Sequence, residues 1–223
     1  MGRYAPVVEE NLPKAPGLEV LGRRTSINVR KVLWTCAELG LDYRLAEWGT
    51  GELSLSDPAF LALNPNALVP VIRDADLVLW ESNTICRYLA AKAGRSDLLP
   101  AEPAARAQVE KWMDWQATEL NNAWRDAFMG LVRKSPAFAD PVRIEASVQA
   151  WNRRMALLDE VLRGSGAFAT GASFTLADVV LGLATHRWFM TPMGRPDLPA
   201  VSAYYDRLAE RPGFRAHGRN GAP

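Results

Sequence analysis

Three short stretches carry side chains whose types and spacing could do chemistry. In "GRRTSINVRKVLW" (22–34), a strand-like segment stops at Gly22; Arg23, Arg24, Thr25, Ser26 and Asn28 then lead into an apolar-periodic helix. Hydroxyl and amide side chains there either cap the helix or hold a polar guest at its positive end. In "LWESNTICRYL" (79–89), Glu81 and Ser82 stand where a strand meets a helix. Ser82 can cap that helix, its free first-turn amides attract a carboxylate, and Glu81 can hold an ammonium. The pair suits an amino-acid head group carrying both charges. In "NPNALVPVI" (64–72), Val69-Pro70 opens a strand, a place that also accepts an ordinary trans proline.

The elements that must position these residues fall into two patterns. "LEVLG" (18–22) reads as a strand and "NVRKVLWTCAELG" (28–40) as a helix, with Val29, Val32, Leu33, Cys36 and Leu39 at helical spacing and Gly40 closing it. "DYRLAEW" (42–48) is a strand, and "DPAFLALN" (57–64) a short helix with Asp57 as N-cap and Pro58 at N1. "VPVIRD" (69–74) and "LVLWE" (77–81) form a hairpin across Ala75 and Asp76, and "SNTICRYLAAKAG" (82–94) is a helix. The order β-α-β-α-β-β-α predicts a small mixed sheet with helices packed on it. "RSDLLPAEP" (95–103) reads as a linker. Amphipathic helices are expected over 104–134, 140–163, 175–190 and 199–211, with no strand among them. The expected divisions are a tail over 1–17, an α/β unit over 18–96, a linker over 97–103 and an all-α unit over 104–223.

Composition excludes several classes. The chain of 223 residues is 48% hydrophobic and 23% charged, ordinary for a globular protein. A net charge of +1 leaves no footprint for nucleic acid. No apolar run reaches the length of a membrane span, and the Pro-rich N-terminus lacks the apolar centre of a secretory signal. Cys36 and Cys86 have no CxxC spacing; both read as buried structural thiols, and the want of a disulfide framework fits a cytoplasmic protein. His186 and His217 stand alone, and no metal-ligand pattern appears.

Taken in order, "TSINVRKVLW", "NPNALVPVI", "LWESNTICRYL" and "FTLADVVLG" (174–182) make the chain resemble a cytosolic-type glutathione transferase of the bacterial theta-like or nu-like range. The resemblance covers nearly everything after residue 17. It implies a thioredoxin-like N-terminal domain that binds glutathione as co-substrate and an all-α C-terminal domain that supplies most of the pocket for a small, apolar electrophile. It also implies a homodimer. It places a cis bond at Val69-Pro70, whose backbone would pair with the tripeptide like an added strand, and sets Glu81 and Ser82 at its γ-glutamyl end. Ser26 falls at the catalytic hydroxyl position and Asn28 at a second donor position; Thr25 is the runner-up if the register slips by one. A free thiol has a pKa of about 8.5, so such donors and the helix's positive end would favour its anion. No tyrosine or cysteine stands in this segment, which argues against the classes that rely on either.

Two positions depart from the usual pattern. Ala67 replaces a glycine, and Leu68 replaces a basic or amide side chain that would reach the glycyl carboxylate. In the helical half, Met113, Ala117, Leu120, Trp124, Ala127 and Leu131 form one core stripe. Trp115 and Asn122 fall nearly opposite, so both are candidates for the second-substrate pocket; Trp115 could equally meet the domain seam or a partner subunit. Thr175 and Asp178 read as a capping box, a folding element. Three functions follow: conjugation of glutathione to electrophiles; glutathione-dependent reduction of disulfides or organic peroxides without a protein cysteine; or non-catalytic ligand binding on the same fold.

Overall fold

The structure, a computed structural model, describes residues 17–223, so all but the last residue of the expected N-terminal tail lies outside it. Four strands form one sheet: β1 (Leu18–Leu21), β2 (Tyr43–Ala46), β3 (Val71–Asp74) and β4 (Leu77–Trp80), in the order β2-β1-β3-β4. β1 runs parallel to β2 and antiparallel to β3, and β3 pairs antiparallel with β4. This is the mixed sheet that the β-α-β-α-β-β-α order requires. Helices α1 (Ile27–Leu39), α2 (Pro58–Leu61) and α3 (Ser82–Lys92) pack on it. Leu21 and Val71 face Phe60 of α2, while Val20 and Ile72 join the main core with α1 and α3.

Past residue 92 the described chain is helical. The elements are α4 (Pro103–Trp115), a π turn (Gln116–Leu120), α5 (Asn121–Leu131), a 3-10 turn (Pro136–Phe138), α6 (Pro141–Ser165), α7 (Leu176–Met190), α8 (Pro199–Leu208) and α9 (Pro212–His217). The segment expected over 199–211 is α8, and a further short helix, α9, follows it, started by Pro212.

α1 is the shared wall of the two halves. Trp34 on it is wholly buried against Phe174 and Phe214, at ring-centroid distances of 5.7 and 4.9 Å. Aromatic contacts of this kind add about 0.5–1.5 kcal/mol beyond area burial, so the helical half fixes the helix that carries Ser26 and Asn28. The helix stops at Gly40, whose φ of 64° lets its amide reach back to the Ala37 carbonyl. Cys36 and Cys86 are both buried in this core, and burial pushes their thiols up to about 12 and about 11.

The expected core stripe of the α4–α5 segment holds for Met113, Leu120, Trp124 and Ala127. Ala117 is exposed instead, and Gln116 is buried in its place. The π turn inserts a residue, so positions beyond Trp115 rotate away from a constant 100° step.

Candidate active site

The β1–α1 junction is built around Gly22. Its φ is +147°, and a Cβ there would lie 2.6 Å from Val29 Cγ2 and 2.9 Å from Val69 Cβ. Only glycine lets the loop carrying Val69 close against the start of α1. Arg23 pins the turn by donating to the Gly49 carbonyl at 3.2 Å, and exposed Arg24 pairs with Glu47 at 3.4 Å. Ser26 stands at the N-cap of α1, half-buried, and its side chain makes no capping hydrogen bond. That leaves its hydroxyl unclaimed by the helix. Asn28 follows in the first turn, and Thr25 is exposed in the turn before it.

The loop before β3 is held by Asn64, which is buried. Its Nδ2 donates to the Leu68 carbonyl at 2.8 Å, and its Oδ1 accepts from the Asn66 amide at 3.1 Å. Ala67 adopts φ 54°, the conformation for which a glycine would be better suited. Leu68 projects with 62% of its surface exposed, and the Val69-Pro70 bond is cis.

At the second junction the structure corrects the expectation for Ser82. Glu81 is the N-cap of α3, at φ 74° and ψ 106°, and Ser82 is the first helical residue. Glu81 makes no side-chain cap bond, so its carboxylate stays available while the first-turn amides remain open. Strained backbone of this kind costs about 1–3 kcal/mol and clusters at functional sites.

A cavity of about 290 Å³ joins the two open helix starts. Asn28 and Lys31 of α1 line one side, Glu81 to Thr84 and Arg87 another, and Asp114, Ala117 and Asn121 the third. Arg87 forms an ion pair with Asp114 across it. Of the expected residues, Asn28, Glu81 and Ser82 stand in this wall; Thr25, Ser26, Val69 and Pro70 are not among its lining residues. Neither Trp115 nor Asn122 lines it; the π turn brings Ala117 and Asn121 there instead. Trp115 is half-buried, edge-on to Trp112 at 5.2 Å.

Two family descriptions match this chain: "Glutathione S-transferase, N-terminal domain" over residues 25–92 and "Glutathione S-transferase, C-terminal domain" over 141–207. Glutathione S-transferase GstB of Escherichia coli is 42% identical over 87% of this chain and 94% of its own length. The chain belongs to the glutathione S-transferase family. Glutathione S-transferase 3 of Zea mays is 32% identical over 89% of this chain and 91% of its own. The crystal structure of a theta class glutathione S-transferase from Xanthomonas axonopodis pv. citri with glutathione bound superposes with a TM-score of 0.85. It shares 40% identity and covers 91% of this chain and 97% of that one.

In this transferase the sequence reading missed one residue of the cavity wall. Lys31 is only 2% exposed, and its Nζ donates to Gln116 Oε1 at 2.6 Å and Asn83 Oδ1 at 3.2 Å. Burial pulls its pKa down to about 8. In a helix of mixed polarity a lysine reads as a solvated charge; its position one turn past Asn28, on the same face, was the available signal.

Proposed function

We propose that this chain binds glutathione in the cavity between α1 and α3 and activates its thiol for attack on small electrophiles. The observation that carries the reading is that cavity, which joins Asn28 at the open start of α1 to Glu81 and Ser82 at the open start of α3. The γ-glutamyl carboxylate takes the first-turn amides of α3, and its ammonium takes Glu81. The tripeptide backbone pairs with Val69. The sulfur then lies at Ser26 and Asn28, whose hydroxyl and amide donate to the thiolate along with the positive end of α1. The thiolate forms the new carbon–sulfur bond, the leaving group departs or the acceptor takes up a proton, and the thiol proton passes to solvent. Catalysis is thiolate stabilisation plus proximity. Trp115 and Asn122 remain the proposed contacts to the electrophile from the helical half. Calorimetric titration with glutathione, paired with a conjugation assay on an activated aryl chloride, tests the reading; no binding refutes it.

A second reading, reduction of disulfides or organic peroxides by glutathione, is favoured by one feature. Both cysteines are buried with raised thiol pKa values, so redox chemistry would run on glutathione alone, at Asn28 and Ser26. A disulfide-reductase assay beside the conjugation assay separates the two. We also propose a cytoplasmic homodimer. The outer strand β4 supports the dimer, since it leaves Leu77, Val78 and Trp80 exposed at the sheet edge, and sedimentation analysis checks it.

A further inference from the structure

Lys31 is a buried cation whose charge is not met by an anion. Among the described residues no carboxylate lies within ion-pair distance of its Nζ. An ammonium has three N–H donors; two go to the neutral side chains of Asn83 and Gln116. Asn83 is itself locked, its Nδ2 donating to the Met113 carbonyl at 2.8 Å. The two amides come from α3 and from the π turn, so they clamp the ammonium from both halves of the molecule. One donor is left, on a residue that lines the cavity.

The charged and titratable groups around it do not supply the missing anion. From α3 and its cap, Arg87 opposes the charge, while Cys86 and Glu81 favour it; from α7, Arg187 opposes it. From α4, Asp114 is engaged by Arg87. Burying an unpaired ammonium costs several kcal/mol. The residue next to Lys31's amide partner is Ser82, where the open first turn of α3 begins. Lys31 and Ser82 line the same cavity, so a carboxylate seated on those amides shares it with the third ammonium donor.

We propose that Lys31 is the counter-charge for the γ-glutamyl α-carboxylate of glutathione, gripping it opposite the first turn of α3. The proposal rests on the glutathione reading above and adds a specificity: the free α-carboxylate is required, and an amide in its place is rejected. It also sets a pH dependence. In the free protein the lysine gives up its proton around pH 8; a bound carboxylate holds that proton on. Binding therefore takes up a proton above pH 8, and affinity falls as pH rises through that range.

The test is calorimetric titration of the full chain with S-methylglutathione, which has no ionisable thiol, in two buffers of different ionisation enthalpy at pH 8.5. The expected result is greater proton uptake by the wild type than by Lys31→Met, whose remaining uptake is at the ligand's own ammonium, and about tenfold to a hundredfold weaker binding at pH 7 for that variant. The analogue amidated at the γ-glutamyl α-carboxylate should bind as weakly to the wild type as the parent ligand does to Lys31→Met. Equal proton uptake by the wild type and Lys31→Met overturns the role of Lys31 and leaves the glutathione reading standing; no binding at all overturns both. If Lys31→Met does not fold, the amidated analogue decides: wild-type binding as tight as that of the parent ligand overturns the role of Lys31.

Discussion

The helix starts divide into two kinds. At α2, α4 and α6 an acidic side chain caps the first turn: Asp57 accepts from the Ala59 amide at 2.7 Å, Glu102 from Ala104 at 2.9 Å and Ala105 at 2.7 Å, and Asp140 from Val142 at 2.9 Å. At α7, Asp178 reaches back to the Thr175 amide at 2.8 Å, and at α8 Asp159 serves the amides of Ala200 and Val201 at 2.8 and 3.0 Å. α1 and α3 are different. Ser26 and Glu81 stand at their N-caps with no side-chain bond to the first turn, as does Arg211 at the six-residue α9, and Asn28, Glu81 and Ser82 line one shared cavity. A cap is worth about 1 kcal/mol, so leaving α1 and α3 without one has a cost. The difference teaches where the molecule keeps free donors: closed ends serve folding, and the open ends of α1 and α3 are where the proposed function seats glutathione.

The sharpest way to break that division is at its most closed end. Asp178 is fully buried and also accepts from the Ala169 amide at 2.9 Å and the Tyr204 hydroxyl at 3.1 Å. From its capping role alone, Asp178→Ala is expected to cost roughly 0.5–2 kcal/mol; with these extra donors stranded, the expected loss is about 3 kcal/mol or more. Denaturant titration measures it. An unchanged midpoint with lost activity would move Asp178 to the functional side.

Next in size come the donors at the open end of α1. Loss of one preorganised donor to a developing anion costs about a hundredfold in turnover. Ser26→Ala and Asn28→Ala are each to be assayed for kcat/KM and for glutathione affinity. The donor facing the sulfur shows the large fall in turnover with little change in affinity. If neither variant slows thiol chemistry, the start of α1 is only a helix start.

At α3 the effect should fall on binding. Glu81→Gln keeps the size and loses the charge that meets the ammonium, so glutathione should bind about tenfold more weakly by calorimetry. Equal affinity would mean that the open end of α3 does not receive the head group. The smallest effect belongs to a closed end far from this chemistry. Asp57→Ala should lower stability by about 1 kcal/mol in thermal unfolding, with kcat/KM unchanged. A fall in kcat/KM would show that caps and site are coupled.

Much of the fold was legible because its punctuation is local. Asp57-Pro58, Gly40 and the Ala75-Asp76 hairpin mark boundaries within a few residues of where the strands and helices turn. Of the candidate site, Asn28, Glu81 and Ser82 were named in the sequence and line the cavity, because each depends on a single junction. The site was not legible where distant segments meet. Nothing in "QATEL" announces the π turn that trades Ala117 and Asn121 for Trp115 and Asn122 at the cavity. Lys31 becomes a buried cation only once α3 and that π turn close over it. The N-cap position expected at Ser82 falls at Glu81, where the backbone turns through positive φ, a choice that hydrophobic periodicity does not register.

The central claim is that glutathione fills the two open helix ends at once. A crystal structure of this chain with glutathione tests it most directly. The account predicts the γ-glutamyl carboxylate on the Ser82 amide and the sulfur at hydrogen-bonding distance from Ser26 Oγ or the Asn28 side-chain amide. A tripeptide seated elsewhere, or a sulfur turned away from both side chains, would contradict it.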